Sequence, residues 1–149
     1  MKKIVIALLL TLGAFGALRA QSIESEIMSY LRTEAYVPTY DSDGDIQFKK
    51  EGCLYYVIIK DSGEGYSYVE VRVPFDASDM SLSDLRSFAT ELNTSKYLCK
   101  CSAYHDETNG NIFQISMEFI ANSASQARYM MGHAMRLMPK WVTAFEIYH

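Results

Sequence analysis

The chain has 149 residues, 49% of them hydrophobic and 21% charged, with 14 Lys and Arg set against 18 Asp and Glu. That length and balance fit one globular domain, able to bury a core without metal or disulfide staples, and exclude a disordered chain. The net charge of −4, spread rather than clustered, argues against a nucleic-acid partner, because an acidic surface repels phosphate backbones.

The first twenty residues read as a secretory signal. Lys2 and Lys3 precede an apolar stretch from Ile4 to Leu12, interrupted only by Thr11. Small residues follow at Gly13, Ala14, Gly16, Ala17 and Ala20. This is the positive, apolar and small-residue order of a cleavable leader. The cut is expected after Ala20, with Gly16 as the alternative. The apolar run is too short to span a bilayer, so no stable membrane span is expected after cleavage. Loss of Lys2, Lys3 and Arg19 moves the formal charge to about −7, and the mature domain, residues 21–149, is expected in the periplasm or secreted.

Ser22 is placed to cap a first helix with Ile23, Ile27, Tyr30 and Leu31 along one stripe. Pro38 should stop it, and residues 40–45 form a turn by composition. Three strands follow. Asp45 to Lys50 places Ile46 and Phe48 on one side, and Cys53 to Lys60 is nearly all apolar or aromatic. Tyr66 to Val73 sets Val69, Val71 and Val73 against Tyr66, Tyr68, Glu70 and Arg72. The intervening breaks suit hairpins.

Ser81, with Asp84 three residues on, announces a second helix carrying Leu82, Leu85, Phe88, Ala89 and Leu92 and closed by Asn93. Tyr97 to His105 and Asn111 to Ala121 form another hairpin around Asn109-Gly110. Ser123 and Gln126 open a final helix with Ala127, Met130, Met131, Ala134, Met135 and Met138 on its apolar side. Pro139 should end or kink it, leaving Trp141 to Ile147 as a short extension. The expected fold is therefore α+β, in the order αβββαββα, with a five-stranded antiparallel sheet and helices on one face.

That order, with Asp41 to Phe48 leading into Gly52-Cys53-Leu54-Tyr55-Tyr56, resembles the YbjN-like proteins. These are bacterial proteins described as sensory-transduction regulators, and they share the fold of type III secretion chaperones. The resemblance covers almost the whole mature domain. It implies a non-enzymatic, often dimeric protein and supplies no catalytic residues to carry over. The export signal departs from a cytoplasmic secretion chaperone.

Candidate chemistry is sparse. Asp41, Asp43 and Asp45 have the first three spacings of a calcium loop, but Ile46 stands where glycine is needed and Gly52 where glutamate is needed. A hydrogen-bonded turn is the better reading. The methionines around His133 suit soft Cu(I) ligation in type, yet their helical spacing is that of a packed face. His105 has no nucleophile elbow to serve, and Ser62 and Gly63-x-Gly65 belong to a hairpin. Cys99 and Cys101 share a strand face; all three cysteines, Cys53 included, read as small buried hydrophobes, with a bridge from Cys53 to one of the pair as the alternative. No catalytic, cofactor or metal residues are therefore assigned.

The strand face opposite the valines is the candidate interaction surface. It carries Tyr66, Tyr68, Arg72, Lys100, Tyr104, Gln114 and Glu118, and tyrosine offers contact area with a polar tip. The alternative is a solvated face with cross-strand ion pairs such as Lys100 with Glu118. The expected function is that of an exported, non-enzymatic binding or chaperone-like module with a protein partner, forming a homodimer. A periplasmic small-molecule or metal sensor, for copper or calcium, is the alternative.

Overall fold

Alternating burial sorts the strand residues into two sets, and only one set meets the helices. The computed structural model describes residues 22–149; the leader read at residues 1–20 lies outside the described residues. The elements are α1 (residues 22–33), then β1 (Thr39–Tyr40), β2 (Ile46–Lys50), β3 (Cys53–Asp61), β4 (Ser67–Asp76), α2 (Leu82–Ser95), β5 (Lys100–Asp106), β6 (Gly110–Ala121) and α3 (Ala124–Tyr148). The strands form one sheet in the order β1-β2-β3-β4-β6-β5, and every neighbouring pair is antiparallel. The sheet thus has six strands rather than the expected five. The addition, β1, is two residues long and pairs Thr39 with Gln47 and Tyr40 with Ile46, which is too short to leave a periodic trace in sequence.

Ile46, Phe48, Tyr55, Val57, Val69, Val71, Val73, Phe113, Ile115, Met117 and Phe119 are buried and share one cluster with residues of all three helices. Burial of a side chain of this size contributes about 1.5–3 kcal/mol, so the valine face of β4 is fixed inward. Arg72 and its neighbours in the ladder point the other way. Helix α1 lies against α3: Arg128 donates to Glu26 at 2.9 Å and stands over the Tyr30 ring.

The helix ends explain themselves locally. Ser81 accepts a hydrogen bond from the Asp84 N–H, and Ser123 accepts one from Gln126 N–H while the Gln126 side chain caps Asn122 N–H. Ser22 lies within α1 rather than before it. Helix α1 closes with Tyr36 N–H donating to Leu31 C=O at 2.9 Å, and Ala35 sits in the left-handed region at φ 63°. Helix α2 does not stop at Asn93. That side chain instead leaves the helix to pair with β5, donating to Cys101 C=O at 3.0 Å and accepting from Cys101 N–H at 2.7 Å. Strand β5 starts at Lys100, not Tyr97, because Leu98 turns the chain at φ 63°.

The largest departure is α3, which runs unbroken through Pro139 to Tyr148. Proline inside a helix costs about 3 kcal/mol through a lost hydrogen bond and a ring clash. Trp141, Val142 and Phe145, all beyond it, are buried, and their burial outweighs that cost.

Candidate functional site

Ladder register places the outward residues in rows. Lys60, Tyr68 and Ile120 form one row, and Ile58, Glu70 and Glu118 the next. Then come Tyr56, Arg72, Ser116 and Lys100, followed by Pro74, Gln114 and Ser102, and last Asp76, Ile112 and Tyr104. Among the described residues no helix contributes to these rows.

At one end of the face lies an open hollow of about 440 Å³ floored by Ile58, Tyr68 and Ile120 and bordered by Lys60, Glu70 and Glu118. Tyr68 and Ile120 are each 53% exposed. Tyr66 lies in the hairpin turn just before β4 rather than in the strand. It still reaches this end, because its ring meets that of Tyr68 edge-on with centroids 5.3 Å apart. The two hydroxyls are 3.1 Å apart, and Tyr66 also donates to Glu64 at 3.2 Å. That bond to Tyr68 pushes the Tyr66 hydroxyl up to about 12.

At the other end a polar cleft of about 380 Å³ is lined by Tyr56, Arg72, Pro74, Tyr104 and Gln114, and walled by Asp41 to Asp43. The Arg72 guanidinium stands 5.7 Å from the Tyr56 ring centre. Among the described residues it forms no ion pair. Between the two ends Lys100 pairs with Glu118, which raises the lysine's pKa. Glu70 stands directly opposite Glu118 and accepts from Gln114 at 3.3 Å. Ser116 is buried although it faces this side, with its hydroxyl donating to Lys100 C=O at 3.4 Å.

Of the seven residues read from sequence, Tyr66 and Tyr68 therefore mark the apolar end, and Arg72, Tyr104 and Gln114 the polar cleft. Lys100 and Glu118 join each other. Sequence reasoning missed Tyr56, Ile58, Lys60 and Ile120. The nearly continuous apolar run of β3 hid which of its residues face outward; its antiparallel pairing with β4, where polarity alternates cleanly, was the usable signal.

The other candidates have structural partners. Asp41 Oδ1 accepts from the N–H groups of Asp43 and Asp45 at 3.0 and 2.9 Å, the geometry of a side-chain-braced turn. Asp45 is raised, first by burial and then by Asp41. Met131, Met135 and Met138 are buried in the core, while His133 meets Tyr129 edge-on and Arg136 at 3.2 Å. His105 pairs with Asn111 across the hairpin at 2.9 Å. Ser62 donates to Tyr66 C=O and accepts from Glu64 N–H within its turn. Among the described residues no group of three or more His, Cys, Asp or Glu is placed to hold a metal ion, and no helix is long and apolar enough to cross a membrane.

These features define an α+β protein whose sheet, among the described residues, has one helix-covered and one open face. A solved structure is similar in fold: YbjN from E. coli, described as a proposed transcription regulator, aligns with a TM-score of 0.53 over 71% of this chain and 78% of that one. Identity is 7%, so what is shared is the fold, which is YbjN-like. No family model matches the chain, and no curated protein matches it in sequence.

Proposed function

We propose that this chain is an exported, non-enzymatic binding module that meets a protein partner through the open face of its sheet. One observation carries the reading: Tyr68 and Ile120 lie side by side, more than half exposed, on a face that no helix among the described residues covers. An aromatic and an aliphatic side chain left in water beside paired acids suit an apolar anchor flanked by a basic residue. Arg72 on Tyr56 offers a second, cationic contact at the other end. Self-association is part of the proposal. The regulator description of YbjN is not carried over to DNA contact, because the lysine of this face nearest its centre, Lys100, is neutralised by Glu118 and the chain is acidic.

Export is supported by the residue order of the first twenty positions. N-terminal sequencing of protein recovered from the cell envelope should begin at Gln21. For binding, the double variant Tyr68→Ala, Tyr104→Ala is compared with the wild type as bait in envelope extracts, while thermal melting checks the fold and sedimentation the oligomeric state. Specific polypeptides should disappear with the variant at unchanged melting temperature. Capture of an identical set by both baits would remove the face from the proposal.

A further inference from the structure

Two thiols outside the open face are placed for chemistry of their own. Cys99 and Cys101 point to the helix side of the sheet with their sulfurs 3.4 Å apart. Cys101 is buried and Cys99 half-buried. Their backbones are held differently. Asn93 grips both N–H and C=O of Cys101, anchoring it to α2. Cys99 instead follows a short exposed link in which Leu98 takes a left-handed φ of 63°, a conformation that costs a non-glycine residue about 1–2 kcal/mol. The third thiol is separate: Cys53 Sγ faces the Glu146 carboxylate at 3.7 Å.

We propose that Cys99 and Cys101 are a reversible dithiol–disulfide pair, closed within one chain by exchange with an external disulfide. The thiolate of Cys99 attacks one sulfur of the oxidant RS–SR, forming a mixed disulfide on Cys99 and expelling RS⁻. Cys101 then gives up its proton, and its sulfur attacks Cys99 Sγ and expels the second RS⁻. Two protein S–H bonds and the oxidant's S–S bond are broken. One intrachain S–S bond forms, two electrons pass to the oxidant, and the two protons end on two RSH molecules.

The site is asymmetric in the sense this sequence of steps needs. Cys99 is the more exposed sulfur, and the hydrogen bond from Cys101 holds its pKa below the ordinary thiol value, with Lys96 acting in the same direction. The same bond, together with burial, pushes Cys101 up. Cys99 is thus the attacking sulfur and Cys101 the resolving one. Alternate residues of an extended chain lie about 6.7 Å apart at Cα, the upper end of what a disulfide spans without strain. A bridge held at that limit is readily reduced, which makes the pair a switch rather than a staple.

The test uses the mature chain with Cys53→Ala, incubated with oxidised glutathione and then alkylated. The expected product is a monomer lighter by two hydrogens, with no alkylatable thiol, its bridge mapped to the peptide containing both cysteines, and reopened by reduced glutathione. Adding Cys101→Ser should stop the reaction at a glutathione adduct on Cys99. Adding Cys99→Ser, at the more exposed position, should leave Cys101 unmodified, so the order of attack is read even if one variant folds poorly. Retention of two alkylatable thiols in the Cys53→Ala chain, or bridges only between chains, would overturn the proposal.

Discussion

Phe145 stacks on Phe113 with ring centres 4.4 Å apart and planes 4° from parallel, joining the last turns of α3 to the first part of β6. Phe145 also meets Phe75 and Phe88, and Tyr148 stacks on Phe88 at 4.0 Å. All of α3's share of this aromatic cluster lies beyond Pro139. The rings outside the helix are therefore what carries it through a residue that would otherwise end it.

Two substitutions should separate these opposing effects. Phe145→Ala removes the central ring of the cluster and is expected to lower unfolding stability by about 3–5 kcal/mol. Pro139→Ala restores the missing N–H and removes the ring clash, and should raise stability by about 1–3 kcal/mol. Denaturant titration measures both. Pro139→Ala with unchanged or reduced stability would mean that the proline sits in the helix without cost.

Glycine exchanges should have opposite signs at two turns. Ala35 occupies the left-handed position that closes α1, where glycine has no Cβ penalty, so Ala35→Gly should stabilise by about 0.5–1 kcal/mol. Gly110 has φ +78°, and a Cβ there would lie 2.9 Å from that of Ser78. Gly110→Ala should cost on the order of 2 kcal/mol, enough to lower the melting temperature by several degrees.

Acid should weaken the fold through two braced turns. Asp106 accepts from the N–H groups of Asn109 and Thr108 and from the Asn109 side chain, and Asp76 accepts from the hydroxyl and N–H of Ser78. Both carboxyls are held below their ordinary value of 3.8. The unfolded chain therefore binds protons first, so this stabilisation is complete above 3.8 and is lost as pH falls through the lower folded values. Melting temperatures followed from about pH 5 to pH 2 should fall less steeply in Asp76→Asn, Asp106→Asn than in the wild type. Equal slopes would show that these bonds do not distinguish the charged form.

Where sequence and structure agree, a repeating physical rule was available. Period-two alternation put Val69, Val71 and Val73 inward and Arg72 outward, and serine followed by a partner three residues on marked both Ser81 and Ser123. Where they differ, the deciding contact is remote. Nothing near Pro139 announces that Phe145 will find Phe113, and nothing near Asn93 that its amide will pair with Cys101. The polar cleft needs the turn at Asp41 to Asp43, at the β1–β2 edge, to meet residues as far across the sheet as Tyr104 on β5, which no local pattern announces. Likewise Ile58 and Ile120 join Tyr68 only once β3, β4 and β6 are known to be neighbours.

That apolar end has a spectroscopic handle. The Tyr66 hydroxyl is bonded to that of Tyr68, and losing its proton would place a phenolate beside Glu64, so its ionisation is deferred to about 12. Being raised above the unfolded value of 10.0, it contributes stability that is intact below that value and is lost as pH rises through the folded one. A phenolate absorbance titration should therefore show a late-titrating tyrosine, which Tyr68→Phe moves earlier by removing its hydroxyl partner. Tyr66→Phe should remove one late-titrating tyrosine, leaving that of buried Tyr55, and leave the fold's melting temperature at neutral pH nearly unchanged, since both rings are on the surface. If the amplitude of late titration is the same in Tyr66→Phe as in the wild type, all of it belongs to other tyrosines, such as buried Tyr55, whose desolvated hydroxyl is also raised, and the Tyr66–Tyr68 pair is not held together in solution.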